Sequence, residues 1–256
     1  MVDVEIQGTS GNIAVIAINR PEARNAVNGD VANGIERALD EVESNPNIWA
    51  AILTGRGPVF CAGADLKLVA SGHARQMSTA KGGFAGIVTR ERSKPLIAAC
   101  DGPALAGGTE IALSCDLIVA STAARFGIPE VKRSLIAAAG GLFRLPRVLP
   151  RNVAMELALT GDPISAERAY HFGLVNVLVE PGEALAAALV LAERITINAP
   201  LAVKASRKVM LAGAGATDEA AWALTASEFV AVAASEDFRE GPMAFIEKRP
   251  PVWKGR

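Results

Sequence analysis

The sequence predicts an α/β fold, and three observations carry the prediction. Short apolar runs recur through the first two thirds of the chain, at residues 13–18, 50–53, 96–100 and 117–120, each too brief for a helix. Turns rich in small residues follow several of these runs. Between them lie segments whose apolar residues recur at helical spacing, so strand, turn and helix alternate. Half of the 256 residues are apolar and 24 are glycine, which allows a large core and argues against disorder.

Residues 2–7 alternate weakly and residues 13–18 are strongly apolar, so the chain opens with an antiparallel hairpin across Thr9-Ser10-Gly11-Asn12. From Asn28 or Asp30, the apolar positions Val31, Ile35, Ala38, Leu39 and Val42 mark a helix up to about Ser44. Residues 50–53 form a short buried strand closed by Thr54-Gly55-Arg56-Gly57-Pro58. The run Phe60-Cys61-Ala62-Gly63-Ala64-Asp65-Leu66-Lys67 is a small-residue turn entering another helix. Residues 71–81 lack periodicity and read as a mobile loop, and a helix is expected over 82–91. Residues 96–100 are a buried strand, turned by Asp101-Gly102-Pro103, and a helix begins at Thr109 with Ile111, Ala112 and Cys115 on its apolar face.

Further on, a strand covers 117–120, helices cover 142–149, 152–160 and 165–172, and a strand covers 175–179. From Glu183 the composition is helical, with helices over 184–196, 201–211 and 218–234 and a short element near Phe245. A soft boundary at Asn198-Ala199-Pro200 separates a core of residues 1–197 from a C-terminal helical region, 198–256.

Several function classes are excluded at this stage. The net charge is −1 without a basic block, which argues against a nucleic-acid partner. The first residues lack a signal peptide's charged and apolar regions, and no apolar run is long enough to span a bilayer. Cys61, Cys100 and Cys115 have no paired spacing, so reduced thiols in a cytoplasmic protein are expected. His73 and His171 lie far apart without ligand-type neighbours, so neither a metal site nor a Ser-His-Asp mechanism is expected. No Walker lysine, GxSxG or well-placed GxGxxG is present. Any chemistry must rest on carboxylates and backbone dipoles.

The stretch Ala104-Leu105-Ala106-Gly107-Gly108 has almost no side-chain bulk and opens a helix. Unpaired N–H groups beside the positive end of a helix dipole suit an anion, or an oxygen that becomes one. The same glycines also suit plain close packing of helix on strand. Two such turns, at residues 62–64 and 106–108, can each supply one N–H to a common oxygen.

These residues resemble the crotonase (enoyl-CoA hydratase/isomerase) superfamily through essentially the whole chain. Four ordered segments carry the resemblance: Asn19-Arg20-Pro21-Glu22-Ala23-Arg24-Asn25-Ala26, the run from Phe60 to Lys67, the run from Gly102 to Glu110, and Arg125-Phe126-Gly127-Ile128-Pro129-Glu130. The resemblance implies a crotonase-like spiral of ββα units with a C-terminal helical trimerisation region, as a trimer or a dimer of trimers. It implies an acyl-CoA thioester substrate, with coenzyme A part of the substrate and no separate cofactor. By the same resemblance the thioester oxygen sits between the N–H groups of Ala64 and Gly107. Glu110 then helps activate the water added at Cβ, and Glu130 delivers the proton to Cα.

For the nucleotide and acyl parts, the resemblance points to Arg24, Ala62, Asp65 and Leu66, and to Phe245 and Lys248 reaching a neighbouring subunit's CoA. Leu66, Met77 and Phe84 are candidates for an acyl tunnel, or equally for core. Lys67 reads as a surface lysine, and Cys61 as a packing residue without a base partner. One departure stands out: the family's hydratases often read Pro-Gly-x-Gly-Gly-Thr where this chain has Ala137-Ala138-Ala139-Gly140-Gly141-Leu142. Ala138 falls where a glycine N–H commonly helps to place the water, and glycine-only backbone angles would be lost there. The two glutamates favour a trans-2-enoyl-CoA hydratase. An isomerase, a carnitinyl-CoA-type dehydratase and a non-catalytic acyl-CoA-binding protein remain open, and a Rossmann dehydrogenase is a weak fourth option.

Overall fold

In the computed structural model, which describes residues 1–256, the expected hairpin forms: β1 (Val2–Gln7) pairs antiparallel with β2 (Ile13–Ile18). Helix α1 (Gly29–Ser44) begins at Asn28, whose side chain accepts from the Val31 N–H, and buries Val31, Ile35, Ala38, Leu39 and Val42. Then come β3 (Ala50–Gly55), the single turn α2 (Leu66–Ala70), and a ribbon of β4 (Ser78–Thr79) with β5 (Gly83–Phe84). The centre of the chain is β6 (Leu96–Cys100), β7 (Ala104–Leu105), α3 (Gly107–Ser114), β8 (Leu117–Ser121) and β9 (Arg125–Gly127). After a 3-10 turn at Pro129–Arg133 follow α4 (Gly141–Val148), α5 (Arg151–Thr160), β10 (Ile164–Ser165), α6 (Ala166–His171) and β11 (Val177–Val179). The chain ends in α7 (Ala184–Thr196), α8 (Pro200–Gly213), α9 (Asp218–Ala233) and α10 (Asp237–Glu247). No single helix is long and apolar enough to cross a membrane.

The main sheet has the order β1-β2-β3-β6-β8-β11, parallel from β2 onward. Both faces are covered, which is why its central strands read as unbroken apolar runs. Ile13, Val15, Ile52, Ile97 and Val119 face α7, which presents Ala188 and Ala192 to them. Alanine at this spacing lets the helix lie close on the sheet. The alternate residues Ile16, Ile18, Leu53, Ala98, Cys100 and Ala120 point the other way into the larger core with α1.

Three parallel neighbours, β3, β6 and β8, end at the same edge of the sheet. Each continues into one of the glycine- or carboxylate-bearing segments singled out by sequence. A small second sheet, β10-β9-β7, braces the last two of them.

The structure corrects several expectations. Residues 71–81 are not a mobile loop, since Met77 is buried and the segment carries a 3-10 turn and β4. Residues 82–91 are not a helix. Gly83, Ala85 and Gly86 have φ of 65°, 56° and 70°, which no right-handed helix accepts. Long-range contacts dictate this: the Glu36 carboxylate accepts from Thr79 Oγ1 at 2.5 Å and from the Gly82 N–H at 3.0 Å. Helix α3 begins at Gly107 rather than Thr109, and Cys115 caps it instead of lying on its face. The element near Phe245 is a helix of 11 residues.

Gly86 packs on the α1 backbone so closely that a Cβ would run into the Ala32 carbonyl oxygen. Gly86→Ala should therefore cost about 3 kcal/mol and lower Tm by several degrees. Gly72 also has positive φ but meets nothing within 4 Å, so Gly72→Ala should cost about 1 kcal/mol. Thermal unfolding of both variants checks this, and equal losses would contradict it.

Candidate active site

The first loop is shaped by the Asn19 to Ala26 segment. Asn25 is fully buried; its Nδ2 donates to the carbonyls of Arg56 at 2.9 Å and Val59 at 2.6 Å, and its Oδ1 accepts from the Arg20 N–H at 2.9 Å. Arg20 Nη1 donates to the Ala26 carbonyl at 3.0 Å and to Asp65 Oδ2 at 2.8 Å. Asp65 also caps α2 by accepting from the Lys67 N–H. The Arg20 guanidinium holds the Asp65 carboxyl below its usual range. The amides of Ala62 and Asp65 donate to the carbonyls of Arg24 and Val27, and the Val27 amide donates back to Gly63. No carbonyl of the chain accepts from the N–H of Ala64.

The second loop meets the first backbone to backbone. Gly63 has φ 91°, and a Cβ there would lie 2.8 Å from the Ala106 methyl carbon and 2.9 Å from the Gly107 nitrogen. Gly107 is the first residue of α3, so its N–H has no acceptor within the helix and none elsewhere in the backbone. The N–H groups of Ala64 and Gly107 thus stand on two touching loops. Phe84 forms a wall here, since a Cβ on Gly107 would lie 2.5 Å from its ring atom Cε1. Thr109 Oγ1, fully buried, accepts from the Gly127 N–H at 2.9 Å and lies 2.6 Å from the Ala104 carbonyl oxygen, tying α3 to β7 and β9.

Glu110 lies one helical turn beyond Gly107, on the same face of α3. It is 3% exposed, and its Oε1 accepts from the N–H groups of Ala139 at 2.7 Å and Gly141 at 2.9 Å. Burial pushes its carboxyl up to about 7, against the pull of those hydrogen bonds, and the charge of Glu130 pushes the same way. Glu130, in the 3-10 turn, is raised by burial too, and its buried Oε2 has no hydrogen-bond partner. Arg144 Nη1 and Nη2 donate to the carbonyls of Ala139 at 3.2 Å and Val88 at 2.5 Å, and its charge favours ionised Glu110.

The structure therefore brings together Ala64, Gly107, Glu110 and Glu130, with Ala62 in the adjoining loop. Asp65 is beside them, but its carboxylate is occupied by Arg20 and the α2 cap. Arg24 and Leu66 are exposed on the same loops. Phe245, 85% exposed on α10, and Lys248 at the end of that helix do not join the cluster within one chain. Cys61 is fully buried, and its thiol is pushed up to about 12, as suits a packing residue. Ala137, Ala138 and Ala139 all have negative φ, so alanine loses no required glycine geometry there; Gly140 alone, at 108°, is left-handed in that turn. Sequence reasoning assigned nothing to Arg20, Asn25, Arg144 or the Ala139 and Gly141 amides. For Asn25 and Arg20 the signal was present in the N-terminal motif, and for the two amides in the turn from Ala137 to Leu142, where the N–H of Ala138 was expected to act; for Arg144 there was none.

Residues 8–256 match the enoyl-CoA hydratase/isomerase family. The chain belongs to this family and is an enzyme. It is 41% identical to mevalonyl-coenzyme A hydratase of Aspergillus fumigatus, an alignment covering 95% of this chain and 92% of that one. It is 37% identical to carnitinyl-CoA dehydratase of Proteus mirabilis, covering 97% of each. The crystal structure of an enoyl-CoA hydratase from Mycobacterium tuberculosis superposes with a TM-score of 0.95 at 49% identity, covering 100% of this chain and 99% of that one.

Because Glu110 titrates above its ordinary 4.5, the native protein holds an extra proton between that value and about 7. This contribution to stability is fully present below pH 4.5 and is lost as pH rises through about 7. Glu110→Gln keeps an acceptor for both N–H groups and cannot ionise. Its stability relative to the parent chain should rise by about 3 kcal/mol between pH 4.5 and pH 8. Denaturant melts at both pH values test this, and a pH-independent difference would refute it.

Proposed function

We propose that this enzyme adds water across the double bond of a trans-2-enoyl-CoA thioester to give 3-hydroxyacyl-CoA, and runs the reverse elimination at the same site. The observation that carries the reading is the pair of carboxyls, buried Glu110 and half-buried Glu130, both raised by burial, beside two unpaired N–H groups on touching loops. The thioester oxygen accepts from Ala64 and Gly107, each donor being worth about 3 kcal/mol of barrier. A water lies between the carboxyls. Glu110 takes its proton as the oxygen bonds to Cβ, and the electron pair of the double bond moves onto the thioester oxygen as an enolate. Glu130 gives its proton to Cα, and the enolate collapses back to the thioester. A proton passed from Glu110 to Glu130 resets the site. Two carboxylates in a dry cleft repel, so one is held protonated and available as the acid.

In this reading Arg24 faces the CoA phosphates, Ala62 and Leu66 flank the thioester, and Asp65 acts by shaping the loop. The C-terminal region, residues 198–256, forms the trimer or the dimer of trimers. In support, α9 buries none of its residues within one chain, and Trp222 and Phe229 are exposed. Assembly would bring Phe245 and Lys248 of one subunit to a neighbour's CoA. The three free cysteines suit the cytoplasm, where they stay reduced. The likeness to carnitinyl-CoA dehydratase favours a second reading, in which physiological flux runs as elimination from a more specialised 3-hydroxyacyl-CoA.

The test is loss of the conjugated enoyl thioester absorbance over a chain-length series of trans-2-enoyl-CoAs. Turnover should fall at least about 100-fold in Glu130→Gln and in Glu110→Gln. Elimination from 3-hydroxyacyl-CoAs should fall in parallel. Parent-chain activity that survives both substitutions would defeat the two-carboxylate mechanism, and binding without turnover in either direction would defeat the hydratase reading.

A further inference from the structure

We propose that Ala106 is a positioning residue whose strained backbone and methyl group set the separation of the donors at Ala64 and Gly107. This rests on the reading of those donors as the thioester-oxygen site. Ala106 has φ 52° and ψ −126°, outside the left-handed helical region that non-glycine residues occasionally occupy. Three of the other five non-glycine residues with positive φ differ: Arg24, Ser134 and Lys248 have ψ of 37°, 35° and 39° and sit in ordinary left-handed geometry. Ala106 thus carries a strain that they do not, immediately before a proposed catalytic N–H.

Its surroundings over-determine that conformation. The Ala106 N–H donates to the Gly127 carbonyl at 2.9 Å, and its own carbonyl accepts from the N–H groups of Thr109 at 2.9 Å and Glu110 at 3.2 Å. Strand β9 holds one side of the residue and the first turn of α3 holds the other. The Ala106–Gly107 peptide is therefore fixed with the Gly107 N–H turned away from the helix. The methyl group does the rest. It fills the space beside Gly63, where a second Cβ would come within 2.8 Å. Gly63 directly precedes Ala64, so this methyl carbon, the one side-chain atom among the nearest neighbours there beside the Gly107 nitrogen and the Leu105 carbonyl oxygen, helps to space the two donor loops. A side chain at both positions clashes, and glycine at both leaves the loops free to close or slide.

Ala106→Gly has two separable effects. It relieves backbone strain, so Tm should stay the same or rise. It removes the spacer, so kcat for enoyl-CoA hydration should fall about tenfold while KM changes less than about twofold. Ala106→Ser keeps the Cβ and should retain kcat within about twofold. A second measurement does not depend on turnover: the infrared carbonyl stretch of carbonyl-labelled butyryl-CoA, a saturated thioester that cannot be hydrated. Binding to the parent chain should shift the band to lower frequency, and Ala106→Gly should reduce that shift by about half. The inference is overturned if Ala106→Gly leaves both kcat and the shift unchanged, or if its Tm falls and Ala106→Ser loses activity equally. If the parent chain hydrates no enoyl-CoA yet shifts the carbonyl, and Ala106→Gly weakens the shift, the positioning role stands and the hydratase reading falls. No carbonyl shift on the parent chain overturns the donor site and this inference together.

Discussion

The site depends on one contact, the backbone of the 62–64 loop lying against the start of α3. Two amides from remote stretches of chain can serve one oxygen only if nothing bulky stands between them, and Gly63 meets that condition, lying against the Ala106 methyl, the Gly107 nitrogen and the Leu105 carbonyl oxygen. Topology makes the contact possible. Strands β3 and β6 are parallel neighbours, so the loops at their carboxyl ends emerge side by side. Local hydrogen bonds then make it specific. Asn25 and Arg20 hold the first loop, and Thr109 ties the second to β7 and β9. Strands that end together bring the loops near, and buried side chains fix where their N–H groups point.

The carboxyls pose a harder physical problem, because a buried charge is costly. Glu110 accepts two backbone N–H bonds and lies near a guanidinium, each of which favours ionisation. Burial nevertheless wins, and the group ends near neutrality in its titration rather than deep in the acid range. That balance is chemically useful: a group that titrates near 7 takes and returns a proton with little free-energy change. Glu130 has fewer partners and one buried oxygen with none. Burial raises its carboxyl as well.

Much of this architecture is legible in the residues. The 13–18 run must be buried on both faces, since it has no polar face to turn outward, and α7 announces itself by helix-forming composition and alanines at helical spacing. The Gly107 and Glu110 pairing is legible only through the family resemblance, because the residues alone start the helix at Thr109; with α3 beginning at Gly107, helical geometry places the two on one face. The 82–91 segment is illegible for an equally physical reason. Its conformation is set by Glu36, some 46 residues away, and by the α1 backbone, and no local pattern records either. Phe84 therefore reached the site as no more than a candidate for tunnel or core. Arg144 was missed because it acts through backbone carbonyls of residues whose own positions depend on the fold.

Two alanines in glycine-rich turns show where sequence alone stops. At position 138 alanine replaces a glycine common in the family's hydratases, which raised doubt about the water-holding turn. At position 106 alanine raised none. Backbone angles reverse both judgements. Ala138 has negative φ, whereas Ala106 sits where glycine would be comfortable and alanine is not. Strain persists only where surrounding interactions outweigh it, and Ala106 is held by three backbone hydrogen bonds at the junction of β9 and α3. The significance of a small residue in such a turn lies in the φ and ψ that the rest of the fold imposes on it, and those angles are long-range information.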